Sequence, residues 1–156
     1  MREQSAPRSM WARTYQVGVV VRDIERARRF YERLGIGPFV EGPSAAALDR
    51  RIHGRPAPDA AIRGLTAPMG GLEFELLQPL RGETLQSEFL RTRGEGVIHL
   101  CAYTDDLERD SATLLALGIR PISSARLADG GTFAYFDTRE VGGLILELFQ
   151  PGTIWR

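Results

Sequence analysis

The chain repeats itself once, and that repeat constrains its fold more than any other feature. The segment from Gln16, QVGVVVRDIERARRFYERLGI, aligns without a gap onto the segment from His99, HLCAYTDDLERDSATLLALGI. Asp23 meets Asp106, Ile24 meets Leu107, Glu25 meets Glu108 and Arg26 meets Arg109; Leu34, Gly35 and Ile36 then meet Leu117, Gly118 and Ile119. A matched ending closes each half: Glu75-Leu76-Leu77-Gln78-Pro79 and Glu147-Leu148-Phe149-Gln150-Pro151. At 156 residues the chain has room for one ordinary core, so the two copies must share it. The ending comes sooner in the second copy, so the first carries about 11 extra residues. Residues 42–58, GPSAAALDRRIHGRPAP, lack periodicity and read as an extended loop that holds them.

Each copy reads as βαβββ. Val17 to Val21 is a β-branched run, and Asp23 is a suitable N-cap. Ile24, Ala27, Tyr31 and Leu34 fall on one helical face before Gly35 stops the helix. The second copy repeats the scheme with a strand near 97–103, a helix from Leu107 to Leu117 and Gly118 as stop. Further strands are predicted near 38–41, 60–66 and 71–78, and near 120–125, 132–137 and 143–149. The expected architecture is α+β: two βαβββ modules forming one curved mixed sheet around a metal-containing cleft. Module one spans 14–82 and module two 96–151, joined by a linker helix over 84–93. A flexible lead-in (1–13) and a short tail (152–156) flank this single domain.

Composition excludes several classes. Basic and acidic residues both number 20, so no basic surplus points to nucleic acid or an anionic membrane. All the basic residues are arginines, which excludes Schiff-base lysine chemistry and P-loop nucleotide hydrolysis. No apolar run is long enough to span a bilayer, and the first dozen residues lack the apolar core of a signal peptide. The lone cysteine, Cys101, rules out an internal disulfide and fits a cytoplasmic setting.

The repeat also selects candidate chemistry. Gln16 and His99 are equivalent, as are Glu75 and Glu147. Side chains alternate along a strand. If apolar Val17, Val19 and Val21 face the helix layer, Gln16 and Gly18 face the other way, and so do His99 and Cys101. Glu75 and Glu147 sit in otherwise apolar strands, where a carboxylate is costly unless paired or bound to a cation. Three oxygen donors and one nitrogen suit a six-coordinate divalent ion, Mg, Mn, Co, Ni or Zn, with open water positions. Glu73 points the same way as Glu75, at the rim. Tyr103 and Tyr135 are candidate cleft donors, and Cys101 reads as a small buried filler. His53, without a symmetry mate, reads as a solvated loop residue. Arg50, Arg51 and Arg55 could grip a phosphate or carboxylate, although a solvated loop is the simpler reading.

With these residues in place, the chain resembles the vicinal oxygen chelate superfamily, which includes glyoxalase I, methylmalonyl-CoA epimerase, extradiol dioxygenases and bleomycin-resistance proteins. The resemblance runs from about residue 14 to 151, on QVGVVVRDIERARRFYERLGIGPF, ELLQPL, FLRTRGEGVIHLCAYTDDLE and GGLILELFQP. RGEGVIHL and the run after the first helix look most like methylmalonyl-CoA epimerases. The resemblance implies one divalent metal on Gln16, Glu75, His99 and Glu147, a homodimer, and a small carbonyl or acyl-CoA substrate. The implied activity is proton transfer next to a carbonyl, with Glu147 as base and Glu75 or Glu73 as further acid/base groups. Two departures stand out. The epimerases usually have histidine where this chain has Gln16, and Gln/Glu/His/Glu is the set of zinc-type glyoxalase I. The epimerases also carry a third-strand glutamate, where this chain reads DAAIRGLTA. A glyoxalase I-like lyase acting on a hemithioacetal and a metal-free binding or resistance protein are therefore the alternatives. Extradiol cleavage needs two histidines and one carboxylate around iron, which this chain does not supply.

Overall fold

The structure is a computed structural model and describes residues 9–43 and 47–152. Strand β1 (Thr14–Val20) leads into helix α1 (Ile24–Arg33). Module one continues through β2 (Val40–Glu41), a small hairpin of β3 (Ala47–Ile52) and β4 (Arg55–Pro56), and the long pair β5 (Ala61–Met69) and β6 (Leu72–Arg81). Helix α2 (Leu85–Thr92) links the modules, and module two runs β7 (Gly96–Tyr103), α3 (Leu107–Ala116), β8 (Pro121–Leu127), β9 (Thr132–Phe136) and β10 (Ile145–Gln150). Among the described residues the strands join one curled mixed sheet in the order β2-β5-β6-β1-β7-β10-β9-β8-β3-β4. The two modules meet at its centre, where β1 and β7 pair antiparallel.

The repeated residues build the same joints twice. Asp23 and Asp106 each accept from the backbone amide three residues on, Arg26 and Arg109, at 2.9 Å. The glutamine of each matched ending caps the same helix from the sheet side. Gln78 Oε1 accepts from the Ile24 amide at 2.9 Å, and Gln150 Oε1 from the Leu107 amide at 2.8 Å. Each helix then ends in a Schellman motif. Ile36 donates to Tyr31 and Gly35 to Glu32, and Ile119 donates to Leu114 and Gly118 to Leu115. Gly35 and Gly118 sit at φ 85° and 81°, which favours glycine. This geometry takes one residue off the expected helical face. Leu34 is the C-cap, turned to solvent at 63% exposure, and Ile36 packs on the core instead.

Three apolar clusters fill the molecule. Val19, Val21, Leu65, Phe74 and Leu76 pack under α1, and Ala102, Ala134, Phe136 and Leu148 pack under α3. These are the equivalent helix-on-sheet layers of the two modules. The third lies inside the curl, where Val20, Leu77, Ile98, Leu127, Phe133 and Tyr135 meet. Met10 and Trp11 pack against the α3 layer, and Arg13 grips Asp105 with both carboxylate oxygens within 3.0 Å. The last residues of the presumed flexible lead-in are thus anchored.

The largest departure from the sequence reading lies in residues 42–58. Their later part is not a loop but the β3–β4 hairpin, and β3 pairs antiparallel with β8 of the other module. Residues 44–46 of that stretch, 1–8 of the lead-in and 153–156 of the tail lie outside the described residues. The hairpin extends the sheet past module two and covers an edge that would otherwise offer unpaired backbone groups. His53 belongs to this arrangement rather than to solvent alone: its Nε2 stands 2.9 Å from Glu88 Oε2 on α2.

Candidate metal centre

The sheet register brings the four candidate ligands together in two neighbouring rows. In one row Gln16 and Glu147 flank Cys101, through the pairs Gln16–Cys101 and Cys101–Glu147. In the next, Glu75 and His99 flank Gly18, through Gly18–Glu75 and Gly18–His99. Four consecutive strands, β6, β1, β7 and β10, each contribute one side chain. The approximate twofold axis exchanges Gln16 with His99, Glu75 with Glu147 and Gly18 with Cys101. The parity expected from the repeat holds at these positions, although a bulge between Gly18 and Val19 interrupts the β1–β7 ladder.

The four side chains are buried, with Gln16 at 6%, Glu75 at 4%, His99 at 0% and Glu147 at 7% exposure. Three oxygens converge on one nitrogen. His99 Nε2 lies 3.1 Å from Gln16 Oε1, 3.1 Å from Glu147 Oε2 and 3.5 Å from Glu75 Oε2. Burial lowers the His99 pKa to about 3, so the ring is neutral and has at most one proton for three acceptors. Glu147 Oε2 has no hydrogen-bond partner. Burial and the nearby charge of Glu75 push the Glu147 pKa well up, while Cys101, Tyr135 and Arg50 pull it back. Two buried carboxylates around a neutral imidazole is a costly arrangement without a cation.

The donor set fits a divalent ion. Adjacent ligands about one ion at roughly 2.1 Å stand about 3 Å apart, close to the spacings around His99 Nε2. Among the described residues no group of three or more His, Cys, Asp and Glu side chains forms a ready-made metal cluster. What the residues present is a convergent set of four donors, one of them an amide. The Gln16 amide is oriented for this role. Its Nε2 donates to Glu73 Oε1 at 2.6 Å, which turns its oxygen toward His99.

Close packing makes the arrangement depend on a missing side chain. A Cβ on Gly18 would lie 2.1 Å from His99 Cε1, so only glycine there leaves room for the imidazole. Cys101, at the equivalent position, is the buried filler expected, with its thiol 3.7 Å from the Tyr15 hydroxyl. Tyr135 stands edge-on to the His99 ring with centroids 5.1 Å apart. Tyr103 lies at the rim and stacks on Tyr15 at 3.7 Å.

Sequence reasoning missed Tyr15, and it favoured a solvated loop for Arg50. Tyr15 lines the cleft with Gln16, Glu75, Glu147, Phe133 and Tyr135, around a cavity of about 40 Å³, little more than one water. A ladder irregularity between Thr14 and Gln16 marks its place. Arg50 is buried at 7% exposure, its guanidinium 5.8 Å above the Phe133 ring, so for this residue the solvated-loop reading is overturned. Arg51 and Arg55 are exposed as expected. A larger cavity of about 660 Å³ lies between the β3–β4 hairpin and α2, and none of the four donors lines it.

Residues 15–136 match the glyoxalase/bleomycin resistance protein/dioxygenase superfamily, and this match spans most of the chain. The chain belongs to that superfamily. It is 28% identical over 141 residues to the mitochondrial methylmalonyl-CoA epimerase of Bos taurus, covering 88% of this chain and 74% of the relative. The crystal structure of methylmalonyl-CoA epimerase from Mycobacterium tuberculosis superposes with a TM-score of 0.71 at 21% identity, covering 97% of this chain and 96% of that one. A methylmalonyl-CoA epimerase in complex with methylmalonyl-CoA and NH4+ superposes with a TM-score of 0.65 at 20% identity, covering 91% and 96%. The curled sheet of two βαβββ modules is therefore the fold of these epimerases. Among the described residues no helix is long and apolar enough to cross a membrane.

Proposed function

We propose that the protein is a divalent-metal-dependent epimerase or isomerase that moves a proton at the carbon next to the carbonyl of an acyl-CoA ester. The observation that carries this reading is the convergence of Gln16 Oε1, Glu75 Oε2 and Glu147 Oε2 on His99 Nε2, within 3.5 Å, from four adjacent strands of both modules. The relatives support the substrate class, since they are methylmalonyl-CoA epimerases.

Gln16, Glu75, His99 and Glu147 would hold the metal. When bound, it supplies Lewis acidity that stabilises negative charge developing on the substrate's carbonyl oxygen. The chain's own residues supply the proton transfers. Glu147 is the base, and its carboxylate takes the proton from the α-carbon. Its buried setting raises its proton affinity, which suits it to hold that proton and give it back. Glu75, related to it by the twofold axis, is the group for the opposite face. Strand β5 faces Glu75 with Thr66 and offers no carboxylate of its own there. Glu73 is engaged with Gln16, so its part is to aim the amide. Tyr135 and Phe133 wall the cleft and keep bulk water from the carbanionic centre.

Exchange of the α-proton in deuterated water, with methylmalonyl-CoA and metal-loaded protein, tests the reading. Exchange is expected with the native chain and should fall about 100-fold or more in Glu147→Gln. Native-like turnover by Glu147→Gln overturns the base assignment. Gln16 favours a second reading, a glyoxalase I-like lyase. Conversion of the methylglyoxal–glutathione adduct without exchange in methylmalonyl-CoA would establish it instead. If neither reaction occurs and Mn²⁺, Co²⁺, Ni²⁺ or Zn²⁺ leaves the melting temperature unchanged, the chain is a metal-free binder.

A further inference from the structure

The outer face of α1 carries charge that nothing around it neutralises. Ile24, Ala27 and Tyr31 turn the inner face of the helix to the core. Opposite them Arg26, Arg29 and Arg33 stand exposed at spacings of three and four, and exposed Arg22 continues the row just before the helix. About one charge per turn runs along roughly 16 Å. None of the four guanidinium groups makes an ion pair among the described residues. Arg22 Nη2 reaches only the Leu90 carbonyl, at 3.5 Å, and the Arg33 guanidinium lies 6.0 Å from the Phe30 ring. The nearest carboxylates are engaged elsewhere. Asp23 accepts from the Arg26 amide and Glu95 from the Arg22 amide. Glu25, Glu32 and Glu41 are held by Arg28 and Arg63.

The repeat shows that this row is not needed for the fold. At the places equivalent to Arg29 and Arg33, α3 carries Ala112 and Ala116, and its Arg109, the mate of Arg26, is paired with Asp110 at 2.9 Å. α3 docks on the sheet through the same aspartate and glutamine joints. Like charges at these spacings repel and destabilise a helix, and a cation in the first turn opposes the helix dipole. A row without internal counter-ions therefore fits a partner of opposite charge. Beside it Phe30 and Leu34, one turn apart, are 48% and 63% exposed and form an apolar edge. Arginine and aromatic side chains are the groups enriched at protein interfaces. The other flank decides the partner's class. There Glu25, Glu32 and Glu41 outnumber Arg28 and Arg63, so a broad polyanion such as a bilayer or a duplex would meet repulsion. The balance of 20 basic and 20 acidic residues gives no long-range attraction to one either. A single helix with carboxylates one turn apart and an apolar row beside them matches the strip.

We propose that the outer face of α1 docks an acidic amphipathic helix of another protein. Arg22, Arg26, Arg29 and Arg33 pair with its carboxylates, and Phe30 and Leu34 take its apolar edge. The proposal is independent of the chemistry assigned to the metal cleft. The probe is a labelled synthetic helical peptide with glutamates one turn apart and a row of leucines beside them. Its binding to the full chain is read by fluorescence anisotropy. The native chain should bind it, and about 10-fold more weakly when glutamine replaces its glutamates. Arg29→Ala with Arg33→Ala, which gives α1 the alanines of α3, should weaken binding about 5-fold and melt close to the native chain. Arg29→Glu alone should weaken it by a similar factor, and decides the matter if the double variant does not fold. Phe30→Ser should weaken binding about 3-fold and leave its salt dependence unchanged. Equal binding by the native chain and the arginine variants, equal binding of the glutamine peptide, or no binding of the acidic one overturns the proposal. Arginine-dependent binding to phosphatidylserine vesicles or duplex DNA that is tighter than to the peptide gives the face to a polyanion. Self-association that is lost in the double variant gives it to a second copy of the chain. Either result also overturns the proposal.

Discussion

The two modules agree in how they are jointed and differ in what they present to the cleft. Asp23 and Asp106, Gln78 and Gln150, and Gly35 and Gly118 do the same structural work in each copy, with nearly the same distances. Inside the cleft the symmetry is broken at each step except the glutamates. Gln16 faces His99, Gly18 faces Cys101, and the hairpin carrying Arg50 belongs to module one alone. The joints between helix and sheet tolerate little change because they satisfy buried backbone groups. The cleft positions, once the frame holds them, are free to take different donors.

The sharpest break of the comparison is at the exchangeable pair Gly18 and Cys101. Gly18→Ala places a methyl on the His99 ring, with expected destabilisation of about 1–3 kcal/mol and loss of the metal-induced rise in melting temperature. Cys101→Ala, at the equivalent point, should cost only about 1 kcal/mol in denaturant unfolding and keep that rise. The supports behind the paired ligands come next. Gln16 is braced by Glu73, whereas His99 Nδ1 has no partner. Glu73→Leu should therefore weaken metal affinity by about 10- to 100-fold in a competition titration. An unchanged affinity would mean the amide orients itself.

The helix joints should respond alike. Gln78→Ala and Gln150→Ala are each expected to lower stability by about 1 kcal/mol, or about 2–4 °C in melting temperature, and to add in the double variant. Unequal losses would show that the repeat is less symmetric in energy than in geometry. The smallest effect concerns the hairpin. His53 and Arg139 hold the Glu88 carboxylate below the usual range, with the His53 hydrogen bond the largest cause. A lowered carboxylate pKa gives stability that is present above the unfolded value of about 4.5 and lost as pH falls through the folded one. His53→Gln should flatten that acid limb by less than about 1 kcal/mol, read from unfolding between neutral pH and pH 3.

Much of this frame was legible because it is built from local, repeated signals. An aspartate before an amphipathic run, a glycine after it and a glutamate in an apolar strand each carry their meaning within a few residues. The convergence of Gln16, Glu75, His99 and Glu147 followed from the repeat and from strand parity, which holds at all four. The parts that stayed hidden depend on distant partners or on slips in the ladder. β3 was invisible because its composition resembles a loop and the strand that pairs with it, β8, lies some 70 residues away. Arg50 was assigned to solvent because no pattern announces a bulge at Asp49. Leu34 was set on one helical face with Ile24, Ala27 and Tyr31 because helical periodicity does not register the C-cap turn that hands the contact to Ile36.

Hydrogen-bonding β1 to β7 also sets an order in time. The hairpins β5–β6 and β8–β9 close over short loops, whereas β1 must find β7, and β3 must find β8, across most of a module. Loop closure over such lengths slows folding, so the four donors, drawn from both halves, should meet late in the folding reaction. An early intermediate would hold formed helices and hairpins while the ligands were still apart. A metal held by those four donors would then meet a nearly finished protein and would not be the seed that starts its folding.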